Sequence, residues 1–338
     1  MKCLCAGVVL LVLESIPGAT HAETTAATKA AMERKSTVTL EGASFTGVLL
    51  DNVANKARQG SGFNPLCSLR YPLKNLYRDD AVGLNFEHVF NGMAADRDAS
   101  MFTPRKDPCV LRAESKNRVS IEWPAKDSSW GLDCEMHCSL ADADAIDLAF
   151  AVTPTADRFG LGYIALMWAS YMNRARDRRI YFLGKNGDKE GWTTFGDDLP
   201  TSFETGTVSA VGVDNLPYQE GAQTLNLIEQ PSKHFLYPFF YGLLDGDHDL
   251  STTEDTLAYI VMFDQRETIR FALWNFITDS SGKPDTHSPA WDWQFVIRTP
   301  RIGETYRYRA RILVKPFEGP DAVYDEYQRW SRQINKQK

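Results

Sequence analysis

Apolar and polar residues alternate with a period of two through most of this chain. Arg118–Trp123 places Val119, Ile121 and Trp123 on one face, and Ile146–Val152 does the same with Ile146, Leu148, Phe150 and Val152. Leu132, Cys134, Met136 and Cys138 alternate with Asp133, Glu135 and His137. Successive side chains of a strand point to opposite faces, so this is the period of a half-buried strand. Gly162–Met172 and Arg179–Leu183 are apolar and aromatic, and Leu257–Phe263 and Thr268–Phe276 are apolar on both faces. Two-sided apolar strands are those buried between layers. Trp293–Ile297 and Thr305–Val314 close the series, and turn-rich breaks at 153–155, 185–188 and 280–284 separate its members. There is no fixed-period repeat, which argues against a propeller or solenoid.

Helical spacing is clearest at the C-terminus. Pro320 suits a first helical turn, and Val323, Tyr324, Tyr327, Trp330 and Ile334 fall on one stripe. The pattern predicts a helix at about 320–335 lying across a sheet. The fold class expected is mostly β: one large antiparallel β-sandwich over residues 37–338, with long loops and this C-terminal helix. Residues 1–22 have the form of a secretory signal, with Lys2, an apolar run over Cys3–Leu13 and small residues at Thr20 and Ala22. Cleavage is expected before Glu23, with residues 23–36 as a flexible lead-in and the mature protein secreted or periplasmic.

Composition narrows the function classes. With 338 residues, 43% hydrophobic and 24% charged, the chain has a globular composition and excludes collagen-like, coiled-coil and wholly disordered readings. A net charge of −7 gives no electrostatic draw toward nucleic acid or anionic lipid, so no nucleic-acid partner is expected. Beyond the N-terminus no apolar stretch is long enough to span a bilayer. No phosphate-binding loop, dinucleotide fingerprint, H-E-x-x-H or G-x-S-x-G is present, and no cofactor is expected. Removing the signal leaves Cys67, Cys109, Cys134 and Cys138, an even count that permits disulfides in an exported chain. Cys134 and Cys138 would lie about 13 Å apart along one strand face, so each is left to pair with Cys67 or Cys109 or to stay free.

The segment Gly83-Leu84-Asn85-Phe86-Glu87-His88, following Arg78-Asp79-Asp80 in an aromatic-rich antiparallel chain, resembles the galactose-mutarotase-like supersandwich superfamily. That group includes sugar epimerases and the sandwich domains of polysaccharide lyases and hydrolases. The resemblance is architectural, would cover most of residues 37–318, and implies a carbohydrate ligand. No catalytic residue of the family can be carried over position by position.

Glu87 and His88 are candidate acid–base groups, although neighbours on a regular strand point to opposite faces. Glu135 and His137 share a strand face with Asp133, and pairing with the strand of Ser120 and Glu122 would make a carboxylate–imidazole patch; a solvated outer sheet face also explains it. Arg307, Arg309 and Arg311 alternate and could clamp acidic groups or pair with neighbouring carboxylates. The aromatic set is the most suggestive. Trp168 and Tyr171, Trp274 with Asn275, and Trp291 and Trp293 with Gln294 couple sugar-stacking rings to polar neighbours. The ligand face is expected where these converge with Glu87 or His88. The acidic loop Asp245–Asp249 lacks the glycine of a calcium loop and is read as a solvated hairpin tip, so no metal is expected. The function expected is that of a carbohydrate-active protein: a hydrolase, lyase or epimerase, with a glycan-binding module or a structural surface protein as alternatives.

Overall fold

The computed structural model describes residues 35–52, 60–94, 100–199, 203–247, 251, 255–276 and 285–336. In chain order the strands are β1 (Thr37–Glu41), β2 (Phe45–Leu50), β3 (Gly62–Ser68), β4 (Asn85–Phe90), β5 (Val110–Ser115), β6 (Arg118–Trp123), β7 (Leu132–Ser139), β8 (Ala145–Pro154) and β9 (Tyr163–Ala169). They continue with β10 (Ile180–Asn186), β11 (Lys189–Phe195), β12 (Gly206–Ser209), β13 (Lys233–Phe235), β14 (Phe239–Asp245), β15 (Thr256–Phe263), β16 (Ile269–Trp274), β17 (Ala290–Arg298) and β18 (Tyr306–Pro316). Helix α1, Pro320–Asn335, ends the described chain. The chain is therefore mostly β, with antiparallel pairing between its strands and a single C-terminal α-helix among the described residues.

Three sheets form. Strands β1, β2 and β3 make a small one. A ten-stranded sheet runs β11-β10-β14-β15-β18-β8-β7-β6-β5, with β13 also paired to β10. A five-stranded sheet runs β12-β16-β17-β9-β4. The two larger sheets face each other across the main core. Period-two patterning decides what enters it. On β17, Trp291, Trp293, Phe295 and Ile297 point in, and on β9 Ile164, Leu166 and Trp168 do. Trp168 stacks on Trp293 at 6.0 Å and on Phe86 at 5.1 Å. Trp293 donates its indole N–H to the Tyr308 hydroxyl of β18 at 3.0 Å, across the layers. The Trp291 ring lies against the backbone of β14 so closely that a Cβ at Gly242 would come within 2.2 Å of it.

This corrects the expected ligand platform. Trp168, Trp291 and Trp293 have no exposed surface and are the centre of the core. Their size explains it: each ring buries on the order of 200 Å² only if both faces are covered, and the gap between two sheets does that.

The outer faces differ. Over the ten-stranded sheet, α1 lays Val323, Tyr327, Trp330 and Ile334 against Phe239, Tyr241 and Ile260, as its stripe predicts. The β5–β8 half of that face stays polar and open. The outer face of the five-stranded sheet is covered by the segments around Met101–Phe102 and Leu216–Leu227, which is why its strands are buried on both sides.

The four cysteines are free thiols, so the disulfides permitted by the even count do not form. Cys134 and Cys138 point into the core from one face of β7, as their spacing requires. The Cys109 thiol is directed at Asn52 Oδ1 (3.3 Å) and the Cys67 thiol at the Lys74 carbonyl (2.7 Å).

Candidate functional site

Strand β4 holds a β-bulge. Phe86 pairs with Trp168 and His88 with Met167, leaving Glu87 as the extra residue. A bulge breaks strict alternation, so two consecutive side chains can be aimed at the same side. Glu87 and His88 do share a side: His88 Nε2 lies 3.9 Å from Glu87 Oε2. The expectation that neighbours here must face apart is therefore corrected by one inserted residue.

Both residues are on the outer face of the five-stranded sheet. Arg105, ending the short turn Thr103–Arg105, donates to Glu87 Oε1 at 3.0 Å. The His88 ring packs edge-on against Phe102 at 4.7 Å. Burial, with the Arg105 charge as a second cause, pulls the His88 imidazole down to about 3, so it is neutral at ordinary pH.

Asp292 completes the group. Alternation on β17 puts it opposite Trp291 and Trp293, on the same face as His88. Its ladder partner on β16 is the small Ala272. Its Oδ1 accepts the Ser170 N–H at 2.8 Å. Ser170 Oγ in turn accepts the Leu84 N–H at 2.9 Å, which ties the acid to the chain entering β4. Burial pushes the Asp292 carboxyl well above the usual carboxylate range, and the charge of Glu87 pushes it the same way. The two carboxyl groups thus have unlike environments: Glu87 is paired with the Arg105 guanidinium, whereas burial favours the protonated form of Asp292. Such a divided pair can accept one proton and donate another.

Around them several buried polar atoms have no partner among the described residues: His88 Nδ1, Asn85 Oδ1, Trp274 Nε1, and both side-chain heteroatoms of Asn275. Burying unpaired donors and acceptors is costly. Trp274 lies at the edge of this face with Tyr171, whose backbone bridges Ala290. Phe276 stacks on Trp274 at 5.7 Å and is 57% exposed. Of the expected aromatics, then, Tyr171 and Trp274 are on the Glu87 side of the sheet. Phe276, which sequence patterning does not single out, is largely exposed.

Gln294 has a structural job on the same face. It accepts from the buried Arg270 Nη1 (3.0 Å) and donates to the Asn226 carbonyl (3.0 Å). Arg270 also meets Glu229 at 3.2 Å, and burial pulls its guanidinium down to about 10. These bonds fasten the 225–229 segment over the sheet and leave Gln294 no group to offer a ligand.

Glu135 and His137 lie elsewhere. Strands β6 and β7 pair with Ser120 opposite His137 and Glu122 opposite Glu135, so the patch forms as the alternation predicts. It is on the outer face of the ten-stranded sheet, whereas Glu87 and His88 are on the outer face of the five-stranded one. The core separates them, and the four residues do not make one site. His137 is held between Glu114 (Nδ1, 2.5 Å) and Glu135 (Nε2, 3.2 Å), which raise its pKa. Arg309 and Arg311 are paired with Asp264 and with Asp147 and Asp142, not arrayed as a free clamp. Asp245, placed by its sequence on a solvated tip, is buried and binds Arg174 and Arg176; residues 248–250 lie outside the described residues.

No protein-family model and no curated protein sequence matches this chain. Solved structures are similar in architecture. A galactose mutarotase-like protein from Lactobacillus casei aligns with a TM-score of 0.46 at 8% identity, over 82% of this chain and 100% of its own. A galactose mutarotase related enzyme from Lactobacillus acidophilus gives 0.43 at 9%, over 83% and 98%. An aldose epimerase homologue from C. elegans gives 0.42 at 10%, over 85% and 100%. The roles of residues rest on the geometry described above.

Proposed function

We propose that this protein acts on a sugar at the Glu87–His88–Asp292 cluster, as an aldose mutarotase or epimerase-type enzyme. The observation that carries the reading is the placement on one sheet face of an Arg105-paired Glu87 and a buried Asp292 whose protonated form burial favours. Ring opening of an aldose needs both groups. Glu87 takes the proton of the anomeric hydroxyl, the C1–ring-oxygen bond breaks as the C1 carbonyl forms, and Asp292 gives its proton to the ring oxygen. Closure on the other face of the carbonyl returns both protons. Neutral His88 hydrogen-bonds a hydroxyl, and Trp274 with Phe276 covers the apolar face of the ring.

The test is polarimetry of freshly dissolved α-anomers of a panel of aldoses. Equilibration faster than the buffer rate, lost in Glu87→Gln and in Asp292→Asn, supports the enzyme. A glycan-binding role without turnover is favoured by the exposed Phe276 ring, which stacks on the buried Trp274, and binding that survives both substitutions with no acceleration would select it. We also propose export, on the signal-like residues 1–22, which lie outside the described residues. A cytoplasmic product whose intact mass still begins at Met1 would count against it.

A further inference from the structure

A cavity of about 430 Å³ lies on the opposite side of the sandwich, on the outer face of the ten-stranded sheet. That volume is within the roughly 300–1,000 Å³ of small-molecule sites. Its floor is Ala149 of β8. The register sets His137 of β7 on one side of this alanine and Arg309 of β18 on the other. Strands are about 4.8 Å apart, so the two walls rise about 9.5 Å from each other, with one small side chain between. One end is closed by α1, through Trp330, Gln333 and Ile334.

The walls alternate in charge. Arg311 is bidentate to Asp147 and also binds Asp142. Arg309 binds Asp264, and His137 is held by Glu114 and Glu135. Arg118 lines the same cavity, is exposed, and has no ion-pair partner among the described residues. Most of the charges neutralise one another in place, which leaves no strong field for an ion. What remains is a dense array of fixed donors and acceptors beside an apolar end wall. Vicinal hydroxyls match such an array, since each donates to a carboxylate and accepts from a guanidinium while C–H groups rest on alanine and indole.

We propose that this cavity is a second saccharide site, separate from the Glu87 cluster, and that its ligand is an uncharged sugar of one or two rings. The proposal takes its ligand class from the proposed function but uses none of the same residues. The experiment follows the His137 ring signals of the full chain by NMR during titration with maltose, cellobiose and lactose, and separately with galacturonate and glucosamine. A saturable shift with at least one neutral disaccharide is expected. It should weaken at least tenfold in Arg118→Gln and in Ala149→Leu, and stay within twofold in Glu87→Gln. Arg118 is exposed and Ala149 is on an open face, so both variants should fold; circular dichroism checks this. No shift with any neutral sugar, a shift with the charged sugars alone, or a neutral-sugar shift untouched by both variants would each overturn the proposal. Polarimetry on the same preparations keeps the two readings apart: Arg118→Gln should leave turnover unchanged, and absent turnover with Arg118-dependent binding would sink the enzyme alone.

Discussion

Glu87 and His88 are consecutive in the chain, yet Glu87 Oε2 lies 3.9 Å from His88 Nε2 on one face of a sheet. A regular strand forbids that arrangement, and the bulge between Phe86 and His88 permits it. Bulges re-aim side chains near functional sites, and here the result is a carboxylate, an imidazole and Asp292 on the same face. Deleting Glu87 should restore regular pairing and remove turnover together with the carboxylate. Glu87→Gln should remove only the base, with a rate loss on the order of 10²–10⁴ and little change in stability. Comparing melting curves and turnover for the two variants checks both halves of this.

Asp292 links the site to pH. Its folded-state pKa is raised, so the folded protein keeps a proton that the unfolded chain gives up near pH 3.8. The contribution to stability is present at low pH and is lost as pH rises above that value. Asp292→Asn does not titrate and can still accept the Ser170 N–H through its carbonyl oxygen. The melting-temperature difference, variant minus parent, should therefore grow from pH 4 to pH 8. A constant difference would mean that Asp292 is ionised in the fold, and the donor role would go with it.

His88 carries the opposite sign. Its imidazole is pulled down to about 3 in the fold, against about 6.5 when unfolded. Between these values the unfolded chain binds the extra proton, so stability is lost as pH falls below about 6.5. His88→Gln should flatten the acid limb of a melting-temperature profile taken from pH 7 to pH 4. If the limb keeps its slope, other groups account for it.

His137 is clamped and raised, so its contribution is complete below about 6.5 and is lost as pH climbs through the higher folded value. The ring is nearly half exposed, and solvent screening makes the effect on stability small. Its titration by NMR should nevertheless sit above that of a free histidine, and should fall back in Glu135→Gln, since the Glu135 hydrogen bond is the largest cause of the shift.

The frame of this fold is legible because burial writes a simple period into it. Arg118–Trp123 is a strand with the bounds its alternation marks, and Pro320–Asn335 is the helix its stripe marks. The site is less legible for three physical reasons. The bulge at Glu87 changes one residue's direction without leaving a mark in the local pattern. A tryptophan that covers a sugar and a tryptophan that fills a core look alike in sequence, and only the opposing sheet makes Trp168, Trp291 and Trp293 core. The acid is visible in hindsight on β17, where Asp292 interrupts a strand otherwise suited to burial on both faces. Pairing of β6 with β7, in contrast, follows from alternation alone, and with it the patch of Glu135 and His137.

The same division predicts how two aromatic residues respond to truncation. Trp293 is fully buried, stacked on Trp168 and bonded to Tyr308. Trp293→Ala should cost about 3–5 kcal/mol of stability through the cavity it leaves, more because the Tyr308 hydroxyl loses its donor. Phe276 is largely exposed and stacks on Trp274. Phe276→Ala should change stability by less than about 1 kcal/mol but weaken sugar binding by roughly 0.5–1.5 kcal/mol, the scale of one aromatic face. Denaturant unfolding and a binding isotherm on each variant separate these effects. The assignment of core and platform fails if Trp293→Ala folds with parental stability, or if Phe276→Ala binds every sugar as tightly as the parent does.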